Sequence, residues 1–208
     1  MMKKMMVGVL GAAMLCTGLI CTVKAAEEAG KTTLDNLQAA FNGESNAKVR
    51  YEAFAVKADE EGYKSVAALY RATAKSESIH AFKHGEMIKK MGAEPKAAIE
   101  KADVKSTKEN LEASIKGETY EKDSMYPSFI KQAEADKNAG ASMTFKGAMA
   151  AEIEHAKLYS QALKELDSWK AGGKVFLVCT VCGYTTMDQG LKQCPVCSAP
   201  RAKFDAVK

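Results

Sequence analysis

Histidine is scarce in this chain, three in 208 residues, and between Cys21 and Cys179 there is no cysteine at all. The first scarcity makes the position of each histidine informative. The second confines cysteine chemistry to the two ends of the chain. Strand-like alternation of apolar and polar residues is missing from the long middle segment, which speaks against a sheet there. No twin-arginine pair precedes the apolar leader, so transport of an already folded, metal-loaded protein is not expected. A strong charge of either sign is also lacking. The formal net charge of +4 falls to +1 once Lys3, Lys4 and Lys24 are set aside with a leader that holds no acid, and near-neutrality gives no reason to expect a nucleic-acid partner.

The leader is residues 1–25. Met1-Met2-Lys3-Lys4 is a positive start, an apolar run follows to Val23, and Val23-Lys24-Ala25 offers a small-x-small cleavage site. This pattern predicts a Sec-type signal peptide and a periplasmic protein; an uncleaved leader anchoring the chain to the membrane is the alternative. Cys16 and Cys21 lack the Leu-small-small triplet of a lipoprotein.

Four helix-patterned segments follow, at 33–61, 65–91, 107–138 and 142–169, with apolar residues at three- and four-residue steps. Gly62 and Gly140 mark short connections, and Gly92, Pro95 and the polar stretch to Lys105 mark a longer crossover. Two short loops and one crossover are the connectivity of an all-α, ferritin-like four-helix bundle, placed at 31–171. Pro127 inside the third segment predicts a kink or a local bulge.

Glu77-Ser-Ile-His80 and Glu152-Ile-Glu-His155 repeat one spacing that sets a carboxylate and an imidazole on the same helix face. Asn36-Leu37 and Gly43-Glu44 recur as Asn110-Leu111 and Gly117-Glu118, so each half of the bundle is one copy of a helical hairpin. Glu44, Glu77, His80, Glu118, Glu152 and His155 then form the inward ligand set of a di-iron or di-manganese site. Buried carboxylates clustered without metal would repel one another and take up protons, which two divalent ions relieve. Glu121 is a seventh candidate, one turn after Glu118, where the first half has Ala47. That asymmetry suggests a ligand used in only one oxidation state. His84 has no histidine counterpart in the second half, and is assigned to the surface or to the surroundings of the ligands. Tyr51 and Tyr126, about two turns beyond Glu44 and Glu118, read first as core residues, though a phenol at either position could hydrogen-bond a ligand carboxylate. Glu154 and the pair Glu60-Glu61 read as surface charge.

After Gly172-Gly173 the chain changes character, and residues 174–208 form a second, small β unit, with Val175 to Val178 as a short strand. A unit of this size needs a staple to fold. Cys179-Thr-Val-Cys182 and Cys194-Pro-Val-Cys197 supply it as two knuckles of a tetrahedral four-thiolate site for iron or zinc, with two disulfides or a dithiol redox pair as the alternative. Gly183 lets the first knuckle turn its amides toward sulfur.

Together these motifs resemble the rubrerythrin family, a ferritin-like di-iron bundle followed by a rubredoxin-like domain. The resemblance rests on Gly43-Glu-Ser45, Glu77-x-x-His80, Gly117-Glu-x-x-Glu121, Met125-Tyr-Pro127, Glu152-x-x-His155 and the knuckles. It implies that Glu44, Glu77, His80, Glu118, Glu121, Glu152 and His155 hold a di-iron centre, with Glu121 exchanging for His80 at one iron on reduction. It implies that Cys179, Cys182, Cys194 and Cys197 hold one iron that relays electrons, and that the activity is reduction of hydrogen peroxide to water. It further implies a homodimer or higher homo-oligomer in which the four-cysteine iron of one subunit lies near the di-iron site of its partner. A small redox protein is the expected electron donor.

The leader and Ser198, which stands where rubredoxins usually have glycine, depart from the family pattern. Two other functions fit the same motifs: a ferroxidase or iron-handling protein, and a zinc-stapled interaction module without enzymatic activity.

Overall fold

A computed structural model describes residues 32–208. The leader expected at 1–25 lies outside the described residues. Helix α1 is Thr33–Glu60, α2 is Lys64–Lys90, α3 is Thr107–Tyr120, α4 is Tyr126–Ala135 and α5 is Ala139–Lys164. A single π-helical stretch, Glu121–Met125, joins α3 to α4, so the two form one long third helix. The helical bundle is followed by a three-stranded antiparallel sheet in the order β2-β1-β3, with β1 at Phe176–Cys179, β2 at Thr185–Thr186 and β3 at Phe204–Val207. No helix among the described residues is long and apolar enough to cross a membrane.

The internal repeat is visible in how the helices begin. Thr32 caps α1 by accepting from the Asp35 amide while Asp35 accepts from the Thr32 amide, and Ser106 with Glu109 does the same for α3. Each box satisfies two amides that the first turn leaves without partners. These pairs, like Glu44 and Glu118, are 74 residues apart, whereas Tyr51 and Tyr126 or Glu77 and Glu152 are 75 apart. The π turn lies between Glu118 and Tyr126 and accommodates the additional residue. Its closing bond runs from the Tyr126 amide back to the Glu121 carbonyl, and Pro127, which has no N–H, cannot donate to the preceding turn.

The third helix stops at Ala135 rather than near 138, and α5 begins before Gly140 rather than after it. The turn is made by Lys137, at φ 55°, instead of by a glycine. Gly140 answers to packing: a Cβ there would meet Met87 Cε at 2.7 Å. The crossover after α2 has no helix or strand to 106, yet it is pinned along α1. Gln38 bonds the backbone of Glu94 and Lys96, Asn42 accepts from the Ala98 amide, and Asn46 bonds the backbone of Ala98 and Glu100. Four-residue spacing puts these three amides in one row on the helix.

Strand β1 is buried along its whole length because its two faces serve different cores. Phe176 and Val178 join Trp169, Val66 and Leu69 in the bundle core, while Leu177 and Cys179 belong to the core of the small unit.

Candidate metal centre

The ligand atoms of Glu44, Glu77, His80 and Glu152 lie within 4.8 Å of one another, as do those of Glu77, Glu118, Glu152 and His155. Glu77 and Glu152 belong to both groups. One pair of carboxylates is thus shared, and each group adds one terminal carboxylate and one imidazole. His80 Nδ1 stands 3.0 Å from Glu77 Oε2, 3.0 Å from Glu152 Oε1 and 3.7 Å from Glu44 Oε1. His155 Nδ1 stands 2.7 Å from Glu152 Oε2, 3.3 Å from Glu77 Oε1 and 3.6 Å from Glu118 Oε2.

These atoms fit a pair of cations. Among the described residues, eight buried oxygen and nitrogen atoms of these six side chains make no hydrogen bond, although every residue involved is essentially inaccessible. Buried polar atoms ordinarily find partners, so a converging set of eight calls for a ligand of another kind. The electrostatics agree. Burial, with Glu152 and Glu77 nearby, pushes Glu44 well above the usual carboxylate range, and burial with Glu152 lifts Glu118 to about 8. Metal ions displace the protons that such a cluster would otherwise hold.

One oxygen of each terminal carboxylate is held across the bundle, leaving the other without a partner among the described residues. Tyr126 donates to Glu44 Oε1, and Tyr51 donates to Glu118 Oε1, each phenol reaching the other half of the repeat. The outer nitrogens of both imidazoles are held by the four-cysteine unit. His80 Nε2 is 3.1 Å from the Cys182 carbonyl, which can only accept, so Nε2 carries the proton and Nδ1 presents its lone pair inward. His155 Nε2 is 3.2 Å from Thr185 Oγ1, which itself donates to the Gly183 carbonyl, and the same tautomer follows. Ser76 also donates to the Gly183 carbonyl, at 2.6 Å.

Glu121 belongs to neither group; it is half-buried on the π turn, near Glu44 and Glu118. His84 is not on the surface: it is fully buried, between Tyr126 and Thr144. Ser76 and Thr185 carry no motif of their own, and Gly183 reads from the sequence only as the turn of the first knuckle, not as a neighbour of His80. The α2 helix places Ser76 one turn before His80, which is the one signal that could have found it.

The four cysteines are free, with Cys179 Sγ 3.6 Å from Cys197 Sγ and Cys182 Sγ 3.5 Å from Cys194 Sγ, and all four sulfurs within 4.8 Å. The amides of Val181 and Cys182 point at Cys179, that of Tyr184 at Cys182 and that of Ala199 at Cys197. Burial raises Cys179 to about 11 despite those amides. Four thiols this close become thiolates by binding a metal. The small unit docks on helix α2 of its own chain.

A bundle presenting two shared and two terminal carboxylates with two imidazoles, beside a separate four-thiolate site, defines a carboxylate-bridged dinuclear metal protein. The family model for rubrerythrin matches residues 35–163, and that for the rubredoxin-like domain of rubrerythrin matches 178–205. The chain belongs to the rubrerythrin family and carries its di-iron and four-cysteine sites. It is 36% identical to nigerythrin of Nitratidesulfovibrio vulgaris over 178 residues, covering 84% of this chain and 86% of that protein. Rubrerythrin-2 of Clostridium acetobutylicum is 36% identical over 181 residues, covering 84% and 96%. The solved structure of fully reduced nigerythrin superposes with a TM-score of 0.79 at 35% identity, covering 85% of this chain and 87% of that one. A bacterioferritin of Desulfovibrio desulfuricans shares the bundle fold alone, at 22% identity and a TM-score of 0.61.

Proposed function

We propose that this protein is an exported non-haem di-iron peroxidase that reduces hydrogen peroxide to water, fed with electrons through its four-cysteine site. Membership of the rubrerythrin family supports an oxidoreductase. The observation that carries the finer reading is the 3.1 Å contact between His80 Nε2 and the carbonyl of Cys182. One residue supplies a sulfur to the small site and a backbone acceptor to an imidazole of the large one. A protein that only stored or oxidised iron would have no use for so direct a link between the two sites.

Glu44 and His80 would hold one ion, Glu118 and His155 the other, with Glu77 and Glu152 shared. Bound there, an iron pair supplies a Lewis acid, a template and the two electrons needed for O–O cleavage. The chain's own residues do the rest. Tyr51 and Tyr126 orient the terminal carboxylates, Cys182 and Thr185 set the imidazole tautomers, and burial of the cluster excludes bulk water. His80 facing inward with Glu121 outside both groups matches the arrangement that the family resemblance assigns to the reduced state.

The test is to load the protein with iron, reduce it without oxygen, and mix it with limiting peroxide or with dissolved oxygen while absorbance follows both sites. Fast oxidation of both by peroxide, with oxygen much slower, supports the peroxidase. Preferential reaction with oxygen that leaves the thiolate-bound iron reduced would favour a ferroxidase. Fractionation of the producing cell, with the mature N-terminus sequenced, tests export.

A further inference from the structure

The surroundings of Glu44 extend further outward than those of Glu118. The Tyr126 hydroxyl, which donates to Glu44, lies 3.2 Å from His84 Nε2, and His84 Nδ1 lies 3.1 Å from Thr144 Oγ1. Tyr126 and His84 are buried, whereas Thr144 is half-buried and lines a groove of about 890 Å³ bordered by Lys83, Met143, Val181 and Cys197. The geometry points to His84 as the central member of a proton relay that runs from this groove through Thr144, His84 and Tyr126 to the Glu44 side of the metal centre.

The inference rests on the peroxidase reading, because H2O2 + 2 H⁺ + 2 e⁻ → 2 H2O consumes two protons in a site whose ligand atoms are closed to solvent. The electrons come from an external one-electron donor by way of the four-cysteine site. The protons need a path of their own.

Every link in the chain both donates and accepts. In one arrangement Thr144 donates to His84 Nδ1, His84 Nε2–H donates to Tyr126, and Tyr126 donates to Glu44. A proton taken up at Thr144 and a proton delivered at Glu44 reverse all of these bonds without leaving charge on any member. His84 Nδ1–H then donates to Thr144, whose hydroxyl donates to the Ala141 carbonyl, 3.1 Å away. Such passage needs a neutral imidazole, since an imidazolium has no acceptor. Burial, with His80 and Lys83 nearby, brings the His84 pKa down to about 3.

The other half of the repeat has no equivalent. Tyr159 occupies the position that matches His84, and its hydroxyl pairs with Thr73 rather than with Tyr51. Tyr51 instead has the Arg50 guanidinium 5.3 Å from its ring centre, and a guanidinium does not give up a proton. Among the described residues the relay therefore serves one side of the centre. That side is the one whose imidazole, His80, is one helical turn from His84 and meets a backbone carbonyl of the first cysteine knuckle, that of Cys182.

Three variants separate a relay from a residue that merely fills the core. His84→Gln keeps a donor for Tyr126 and an acceptor for Thr144 but cannot pass a proton. Thr144→Val closes the outer end at a half-exposed position, and His84→Ala leaves room for free imidazole. In the iron-loaded, reduced protein mixed with peroxide, an indicator dye should show proton uptake slowed about tenfold or more in His84→Gln and Thr144→Val. Iron content and the visible spectrum should stay as in the parent, and imidazole should restore the rate in His84→Ala. In the zinc-loaded protein, ¹⁵N NMR should show a neutral His84 exchanging between its two tautomers, and Thr144→Val should hold it as the Nε2–H form. Parental uptake rates in both single variants, or one fixed His84 tautomer in the parent, overturn the relay. Should His84→Gln fail to hold iron, Thr144→Val decides the matter. A parent protein inert to peroxide overturns the peroxidase reading instead, and the NMR result still decides whether the relay exists.

Discussion

Gly183 lies against the imidazole of His80 so closely that a Cβ on it would sit 2.3 Å from Nε2. Its φ of 84° also belongs to the left-handed region. Two separate constraints, backbone geometry and approach to a ligand imidazole, thus fall on one residue of the first cysteine knuckle. Gly183→Ala should push the knuckle off α2 and break the contact from Cys182 to His80. A displacement of that order costs about 100-fold where geometry is critical. Stopped-flow absorbance should show the thiolate-bound iron oxidised far more slowly than in the parent once peroxide has oxidised the di-iron site.

Glu77 and Glu152 each belong to both ligand groups, whereas Glu44 and Glu118 each belong to one. Glu77→Gln should therefore disturb both bundle ions, and Glu44→Gln chiefly one. Metal-to-protein ratios after extensive dialysis check this. Equal losses in the two variants would contradict the shared assignment.

Tyr51→Phe and Tyr126→Phe each remove a phenol from a terminal carboxylate. Loss of such an outer partner typically lowers metal affinity about 10- to 100-fold. Competition with a chelator should register that loss for both variants, with helix content unchanged.

Ser198 adopts φ 60° as it closes the second knuckle, its amide bonding the Cys194 carbonyl at 2.9 Å. A side chain in that conformation costs about 1–2 kcal/mol that glycine avoids. Ser198→Gly should raise the denaturant midpoint by an amount in that range, and Ser198→Val should lower it.

Asp59, at the end of α1, faces Arg71 and lies 3.1 Å from Lys64 on α2. Burial raises its pKa, but the bonds from Arg71 and Lys64 and their charges together outweigh that and hold it below the ordinary value. A depressed carboxylate stabilises the fold above its unfolded pKa and loses that contribution as pH falls through the folded one. Asp59→Asn should thus lower stability at pH 7 by no more than about 1 kcal/mol, given its exposure. In parallel melts the difference should shrink as pH falls below the unfolded carboxylate range, about 4, and vanish only below the depressed folded pKa.

Much of the bundle and of its ligand face can be read from the chain, because i and i+3 ligands share a helix face and the repeat supplies each with a twin. The change of interval from 74 to 75 residues is itself the trace of the π turn, though a one-residue difference does not say where the extra residue goes. Other features leave no local mark. Gly140 looks like punctuation and is a packing site, while Lys137 makes the turn in a conformation that its residue type does not advertise. His84 lacks a twin, and its partners come from two other helices, so its burial follows from tertiary structure alone. Gly183 reads as a turn former; its nearness to His80 depends on how the small unit docks, which no spacing within the chain encodes.

The two-faced burial of β1 bears on how this protein can be taken apart. Phe176 and Val178 complete the bundle, and Leu177 and Cys179 complete the four-cysteine unit. What looks along the chain like a detachable appendix is therefore a wall of the larger body. Cutting the chain at Gly173 would strip apolar cover from Trp169 and Leu69 and leave two ligand imidazoles without their outer partners. Swapping in a foreign rubredoxin-like domain would demand a matching strand as well as four matching cysteines. In this chain neither part can be trimmed or exchanged without remaking the strand that both share.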